Sequence, residues 1–219
     1  MSLDLLNADS VDKLVEHLTS NKIQLDILVN NAGMAFKGNI INEQVIKQTT
    51  TCNYFNTKRL TLALLTAGVI NENGRIINVS SGIGKLAKFK GREGDYYSEF
   101  LKYQNWDLAT LESWEKKFLE EIFDQKLGQK WPNNMYAQSK IFLSIFSNVL
   151  ARDKICKDKN IWVWAMCPGW CLTGMTRGTN APRTPEQGAE TVLMLMTIKK
   201  EGDINGHFFT HEQLSSIVE

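Results

Sequence analysis

The 219-residue sequence predicts a single α/β domain built on a doubly wound parallel sheet. Three short apolar segments have the composition of buried strands, at residues 25–30, 75–81 and 162–167. A fourth strand-like segment, 206–210, lies near the C-terminus, and helical patterns fall between the strands. Apolar strands that alternate with amphipathic helices favour a parallel sheet covered by helices on both faces.

Four helical patterns connect these segments. Residues 9–18 open with capping residues and then repeat apolar positions at helical spacing. Residues 42–65 and 135–151 predict two longer helices. A fourth helix is expected to begin after Thr184, because threonine suits the N-cap and Pro185 suits the first helical turn.

A charged and aromatic stretch at residues 85–131 interrupts this alternation. Its aromatic residues include Tyr96, Tyr97, Trp106 and Trp114. Within it, residues 110–127 predict a surface helix. The sequence shows no internal repeat and no second domain, so this stretch is interpreted as a helical insertion in one domain spanning residues 1–219.

Composition narrows the class of protein. The net charge is +1, from 25 basic and 24 acidic residues, which gives no electrostatic basis for binding nucleic acid or an anionic membrane. The apolar stretches are far shorter than the roughly 20 residues that span a bilayer. The first residues lack the layout of a signal peptide. These features predict a soluble, cytoplasmic protein.

The cysteines are scattered along the chain: Cys52, Cys156, Cys167 and Cys171. In a chain of this length, this distribution predicts reduced thiols and no disulfide framework. A remote alternative is a zinc site built from the last two cysteines together with His207 and His211. These two pairs lie too far apart in sequence for ordinary ligand spacing, so no metal site is expected.

Small and polar residues follow three of the predicted strands, at positions 30–33, 80–82 and 168–170. In parallel α/β sheets, ligands bind beyond the carboxyl ends of the strands. The three segments are therefore expected to meet at one edge of the sheet and to form its binding site.

Tyr136 and Lys140 are the most informative pair of residues. They lie four positions apart at the start of the predicted helix 135–151, so they share one helix face. A cation beside the phenol is expected to lower its pKa, which suits a tyrosine that exchanges a proton with a carbonyl or alcohol oxygen. Alone, the pattern is weak, because a half-buried ring beside a solvated lysine is common.

Two further polar residues complete a possible catalytic set. Ser81, just after a strand, is placed to donate a hydrogen bond to a substrate oxygen. Asn53 lies in the long helix 42–65, where asparagine is a poor helix former, and its amide is placed to hold a water that connects to Lys140. The ordinary alternatives are a strand-end capping hydroxyl for Ser81 and a polar residue on a wet helix face for Asn53.

The order of these motifs resembles the short-chain dehydrogenase/reductase family over nearly the whole chain. The motif residues are Asn31, Gly33, Asn53, Ser81, Tyr136, Lys140, Pro168 and Gly169. The chain is more specifically similar to the monomeric carbonyl reductases. That similarity is carried by residues 30–37, Trp131, Pro132, Cys167, Trp170, Thr173 and Met175. The 55 positions between Ser81 and Tyr136 exceed the usual family gap and resemble the carbonyl reductase insertion, which covers a face that other members use for oligomer packing.

The resemblance implies a Rossmann-like fold and a role for each matching residue. The implied catalytic set is Ser81, Tyr136, Lys140 and Asn53, with Tyr136 as proton donor. The implied cofactor contacts are Asn31, Asp4, Leu5, Tyr136, Lys140, Pro168, Gly169, Leu172 and Thr173. The implied substrate contacts are Phe36, Lys37, Ser81, Ala137, Trp170 and Met175. For the apolar members of this last set, the alternative is ordinary core packing.

The implied reaction is hydride transfer from NADPH to an aldehyde or ketone by a monomeric enzyme. The choice of NADPH over NADH depends on the resemblance alone, so NADH stays open. Trp170, Phe36 and Met175 suggest an apolar pocket with few polar anchors and broad carbonyl specificity.

The sequence departs from the family at its start. No Gly-rich turn of the T-G-x-x-x-G-x-G kind precedes Asn30, and residues 3–5 resemble the end of the family's third strand. In the family's strand order, residues 3–5 would then lack a neighbour and the strand with Leu28 would become an exposed apolar edge. Either more chain precedes Met1, or this is a truncated, catalytically impaired remnant that binds a partner or dimerises through that edge.

Overall fold

The computed structural model describes residues 1–36, 41–122 and 128–218, which form a five-stranded sheet in the order β1-β2-β3-β4-β5. The strands are β1 Leu25–Asn30, β2 Ile70–Val79, β3 Trp162–Cys167, β4 Phe208–Thr210 and β5 Gln213–Ser215. The first four are parallel, and β5 pairs antiparallel with β4. The predicted parallel sheet is confirmed, whereas β5, a short and mostly exposed strand, has no apolar run that would predict it.

Helices lie between the strands as the periodicity predicts. The α-helices are α1 Ala8–Ser20, α2 Glu43–Thr50, α3 Asn56–Thr66, α4 Tyr96–Leu101, α5 Leu108–Ile122, α6 Met135–Arg152, α7 Lys154–Lys157 and α8 Pro185–Thr197. The predicted cap of α8 is present, since Thr184 and Gln187 form a reciprocal capping box ahead of Pro185. Within the described residues, no helix combines the length and the apolar character needed to cross a membrane.

The sheet is buried on both faces. Ile76 and Ile77 of β2 point to opposite faces, and both are completely buried. On one face, Ile76 belongs to a large core that includes residues of α3, α6 and the insertion. On the other face, Ile77 and Trp164 pack with Leu195 of α8. Burial on both sides explains why these strands are almost continuously apolar.

β2 begins five residues earlier than the predicted strand. The register with β1 jumps from the pair Leu25 and Ile70 to the pair Ile27 and Arg75, so residues 71–74 bulge out of the strand. Within this bulge, Asn73 has a φ of 61°. The segment Asn71-Glu-Asn-Gly74, whose residue types are typical of turns, therefore forms a bulge inside the strand.

The predicted helix 42–65 is interrupted. A π-helical segment, Thr51–Phe55, separates α2 from α3. The backbone N–H of Asn56 bonds to the carbonyl of Thr51, five residues earlier, and the Thr57 hydroxyl donates to the carbonyl of Cys52 at 2.9 Å. Segments of this kind are often found at functional sites.

The insertion is packed more deeply than a surface helix. α5 spans Leu108–Ile122 and completely buries Leu111 and Phe118. Their burial extends the large core into the insertion, where Phe118 packs edge-on against Trp131. The rest of the predicted helix, residues 123–127, lies outside the described residues.

The strand β1 lies at the edge of the sheet. Within the described residues, no strand pairs with its outer side, and residues 3–5 form no strand. Ile27, Leu28 and Val29 are only partly buried. The predicted apolar edge is therefore present in this chain.

Candidate active site

A cleft of about 580 Å³ lies at the carboxyl ends of β1, β2 and β3. It is lined by nine of the residues that the sequence singled out: Asn31, Ser81, Tyr136, Lys140, Pro168, Gly169, Trp170, Thr173 and Met175. The three segments that follow these strands meet there, as the rule for parallel sheets leads one to expect.

Tyr136 enters the cleft from the first turn of α6. Asn134 caps this helix by accepting the backbone N–H of Ala137 at 2.8 Å, which fixes where the turn begins. Burial raises the pKa of the Tyr136 phenol, and hydrogen bonding to the neighbouring Ser81 hydroxyl opposes this shift. Tyr136 is therefore held in its protonated, proton-donating form at neutral pH.

The expectation that Lys140 lowers the Tyr136 pKa is wrong for this structure, because burial of the phenol outweighs any attraction to the ammonium. The Lys140 Nζ lies 5.6 Å from the centroid of the Tyr136 ring and donates to the Val79 carbonyl at 2.7 Å. Burial also lowers the pKa of Lys140 to about 8. At neutral pH the Tyr136 phenol is thus an uncharged acid, and the Lys140 ammonium near it loses its proton more readily than a solvated lysine does.

The loop after β2 is fastened to the backbone of α6 beneath this pair. The Ser80 hydroxyl donates to the Lys140 carbonyl at 2.9 Å and contacts the Ser144 hydroxyl at 2.7 Å. Gly84 approaches so closely that a Cβ there would lie 2.9 Å from the Lys140 carbonyl carbon. These contacts hold Ser81 and Lys140 in a fixed relation.

Asn53 lies behind the cleft rather than in its wall. Only 1% of it is exposed, so it is not on a wet helix face. Its amide oxygen accepts the Met34 N–H at 2.7 Å, and its amide nitrogen donates to the Met34 carbonyl at 2.8 Å and the Ser139 hydroxyl at 3.1 Å. The amide thus holds the loop after β1, and its expected role in holding a water that connects to Lys140 stays a prediction.

Asp4 and Leu5, two of the implied cofactor contacts, lie outside the cleft. Asp4 is exposed, and its carboxylate accepts the backbone N–H of Leu6 at 2.9 Å. Leu5 is buried, and its carbonyl accepts the Asn56 amide at 2.7 Å. Leu5 lines a smaller cavity of about 140 Å³, which meets the cleft at Asn31.

Three other predicted residues, all of them described, do not line the cleft. Ala137 is completely buried, because it faces the interior from the first turn of α6. Phe36 and Leu172 are exposed by 38% and 53%, since both lie on loops that run outward from the strand ends. Lys37 lies outside the described residues.

Sequence reasoning missed two cleft residues, Ile83 and Thr176, which lie a few positions beyond the strand-end segments 80–82 and 168–170. Extending these segments by up to six residues would have found both. Gly33 and Gly82, which lie within the predicted segments, also line the cleft. The absence of side chains at the two glycines leaves room for a ligand close to the backbone.

The metal alternative finds no support in the geometry. Within residues 1–36, 41–122 and 128–218, no group of three or more His, Cys, Asp or Glu side chains is placed to hold a metal ion. All four cysteines are free thiols. The Cys171 thiol donates to the Pro168 carbonyl at 3.2 Å, and His211 lies against Gly169.

A parallel α/β sheet with a serine, a tyrosine and a lysine converging at its strand ends defines a Rossmann-like oxidoreductase. A family model described as short chain dehydrogenase matches residues 1–93. Carbonyl reductase [NADPH] 1 of Mus musculus is 34% identical over 212 residues, covering 92% of this chain and 73% of the relative. Its Homo sapiens counterpart is 31% identical over 220 residues, covering 97% and 77%, respectively. The chain belongs to the short-chain dehydrogenase/reductase family and is similar to its carbonyl reductases.

Solved structures show the same fold. Salutaridine reductase from Papaver somniferum superposes with a TM-score of 0.76 at 23% identity, covering 95% of this chain and 81% of the other. The carbonyl reductase Sniffer of D. melanogaster gives a TM-score of 0.62 at 23% identity, covering 97% and 75%. A Burkholderia cenocepacia short-chain dehydrogenase in complex with NADP gives 0.64 at 21% identity, covering 96% and 73%.

Proposed function

We propose that this chain is a carbonyl reductase that converts aldehydes or ketones to alcohols with NADPH. One observation carries the proposal: the protonated Tyr136 phenol, the Ser81 hydroxyl and the buried ammonium of Lys140 share one cleft. A protonated phenol beside a hydroxyl is suited to bind and protonate one oxygen atom. The carbonyl reductase relatives support the substrate class and the cofactor.

The residues of the cleft fit the nicotinamide end of such a cofactor. An ammonium has three N–H donors, and Lys140 gives one to Val79, which leaves two for ribose hydroxyls. Gly33 and Gly82 leave the strand ends open to close approach. Pro168, Gly169 and Thr173 also line the cleft and would border the nicotinamide ring.

When bound, NADPH supplies the hydride. Ser81 and Tyr136 line the same cleft as Pro168 and Gly169, so both hydroxyls would bind the substrate oxygen while the carbonyl carbon stays open to the nicotinamide. As negative charge develops on that oxygen, Tyr136 transfers its phenolic proton and the alcohol forms. The ammonium of Lys140 stabilises the phenolate left behind, and a solvent proton restores the phenol.

The outer part of the cleft is suited to apolar substrates. Trp170, Met175 and Ile83 border it, and Trp170 is 53% exposed. Few polar side chains reach this part, so we propose broad specificity for carbonyl compounds with apolar substituents. We also propose a cytoplasmic location, since four free thiols suit a reducing compartment.

Replacing Tyr136 by phenylalanine tests the proposal, because it removes the acid and keeps the ring. We expect NADPH oxidation in the presence of an aromatic ketone to fall by about 100-fold or more in Tyr136→Phe. Binding of NADPH, followed by tryptophan fluorescence, should be unchanged. Tyr97→Phe is the matched control, because Tyr97 lies in the insertion and contacts Lys90 instead of the cleft. Turnover retained in Tyr136→Phe would contradict the assignment.

A second candidate function is association through the sheet edge. The partly exposed apolar side chains of β1 favour it, because an unpaired strand edge is a template for another strand. In this alternative, the chain is an impaired enzyme that dimerises or binds a partner. If the outer side of β1 is covered instead, we propose that the protein is a monomer.

A further inference from the structure

A buried ionic cluster links the insertion to the π-helical segment. Lys58 of α3 lies 2.9 and 3.0 Å from the two carboxylate oxygens of Glu115 in α5. The two side chains are only 9% and 10% exposed. The phenol of Tyr54, a completely buried residue, donates a hydrogen bond to the same carboxylate. The insertion is thereby joined to Thr51–Phe55 through charged and polar groups, in addition to apolar packing.

This cluster lies one residue from the site. Tyr54 adjoins Asn53, whose amide makes both hydrogen bonds to the Met34 backbone. A Cβ at the neighbouring Gly33 would lie 3.4 Å from the Asn53 oxygen and 3.6 Å from the Lys140 Nζ. Any shift of the π-helical segment would therefore move the loop that borders Lys140.

A buried ionic cluster stabilises the packing of two helices less than well-packed apolar side chains often do. Burying charges costs free energy that apolar side chains of similar size would not cost, and its best-supported benefit is a specific geometry. Here the Tyr54 ring is already fixed by stacking on Phe142 at 5.2 Å. The bond to Glu115 adds a fixed direction to the phenol, and hence a fixed rotation of the backbone at residues 53 and 54.

A second carboxylate of α5 serves as an internal comparison. Glu121 accepts hydrogen bonds from the Tyr96 phenol at 2.5 Å and the Trp131 indole at 2.9 Å. These are also buried groups, yet both belong to the insertion and neither lies in the π-helical segment. Glu115 and Glu121 thus accept similar hydrogen bonds, but Glu115 accepts from Tyr54 of the π-helical segment, whereas these two donors to Glu121 lie in the insertion.

We infer that Glu115 is a positioning residue through which the insertion sets the geometry of the active site. It acts through Tyr54 and Asn53 on the loop at Met34 and on Lys140. The inference rests on the proposed function, because the geometry matters only if Lys140 and Tyr136 act on a substrate. It assigns the insertion a catalytic role in addition to covering a face of the domain.

Two measurements on the whole chain test the geometry without turnover. Cys52 lies in the π-helical segment and is half-buried, whereas the other three cysteines are buried, so its alkylation by iodoacetamide reports opening of the segment. The Met34 amide reports the bond to Asn53 through hydrogen exchange. In Tyr54→Phe and Glu115→Gln we expect both rates to rise about tenfold. In Glu121→Gln we expect no change in either rate.

Kinetics completes the test. We expect kcat to fall on the order of tenfold in Tyr54→Phe, with the KM for the carbonyl changed less than about twofold, because misplaced groups slow the chemical step. Tyr54→Phe keeps the stacked ring, so it reports the outcome even if Glu115→Gln fails to fold. Unchanged Cys52 and Met34 rates in Tyr54→Phe would overturn the inference. The two proposals can fail separately. If the wild-type chain shows no turnover, the proposed function is overturned. If the Cys52 and Met34 rates still rise in Tyr54→Phe and Glu115→Gln, the positioning of the loop by Glu115 stands.

Discussion

Lys140 carries the charge on which the chemistry of the cleft depends. Burial lowers its pKa from 10.5 to about 8, while burial raises that of Tyr136. The lysine therefore titrates before the tyrosine as the pH rises. A phenol held in its acid form favours reduction of a carbonyl over oxidation of an alcohol, since the latter needs the phenolate as a base.

This order of titration predicts the pH dependence of reduction. Below about pH 8 the Lys140 ammonium and the Tyr136 phenol are both protonated, so kcat/KM should be constant. Above that value, Lys140 loses its charge and the developing phenolate loses its stabilisation, so the rate should fall while the phenol is still protonated. Steady-state assays over about pH 6 to 10 would measure it. A profile that stays flat to about pH 10 would assign no role to the Lys140 charge.

The contact between α6 and the loop after β2 is the element that holds Ser81 beside Tyr136. Gly84 has no room for a side chain, because a Cβ would lie 2.9 Å from both the carbonyl carbon and the Cβ of Lys140. Both atoms belong to the rigid start of a helix and cannot turn aside. The loop and α6 would have to separate to admit even a methyl group.

We therefore predict that Gly84→Ala reduces stability and turnover together. The overpacking should lower the free energy of unfolding by about 1–3 kcal/mol, measured by chemical denaturation. Turnover should fall because Ser81 moves away from Tyr136. Gly174→Ala is the matched control, since nothing lies within 4 Å of a Cβ there and its φ is not positive. Gly84→Ala with wild-type stability would refute this account of the contact.

The elements that the sequence predicts well are those that depend on neighbouring residues. The helix α8 begins where Thr184 and Pro185 indicate, because a cap is a local interaction. The π-helical segment was not predictable in this way. It is held by partners such as Glu115, which is 61 positions from Tyr54 in sequence. The burial of α5 likewise depends on distant aromatic residues such as Trp131.

For the candidate site too, the sequence predicts the local features and misses those that depend on residues distant in sequence. The strand-end rule brings Asn31, Ser81 and Pro168 to one cleft, because it depends only on the direction of the strands. The direction of the Tyr136 pKa shift was predicted wrongly, since spacing on a helix places a cation near a phenol but does not give the burial of either. The contacts of Asn53 were not predictable either, because its partner Met34 is distant in sequence.

At the scale of the whole molecule, the two edges of the sheet differ. The edge strand β5 is three residues long, mostly exposed and antiparallel to β4. Among the described residues, β1 pairs only with β2, although its sequence has the apolar character of a strand buried on both faces. The chain matches about three quarters of the length of its carbonyl reductase relatives, at 73% and 77%.

This asymmetry predicts concentration-dependent association of the 219-residue chain through β1. The unpaired backbone groups of one β1 would bond to those of a second copy, and Ile27, partly buried, would be covered in the process. We expect sedimentation velocity to show dimers or larger species at about 100 µM protein. Ile27→Lys should restore the monomer, because a charge on an edge strand opposes pairing. Leu193→Lys is the control, since Leu193 is 59% exposed on α8, away from this edge, and its replacement should leave association unchanged. A wild-type chain that stays monomeric at that concentration would show that the edge is protected in solution and would remove the basis for the second candidate function.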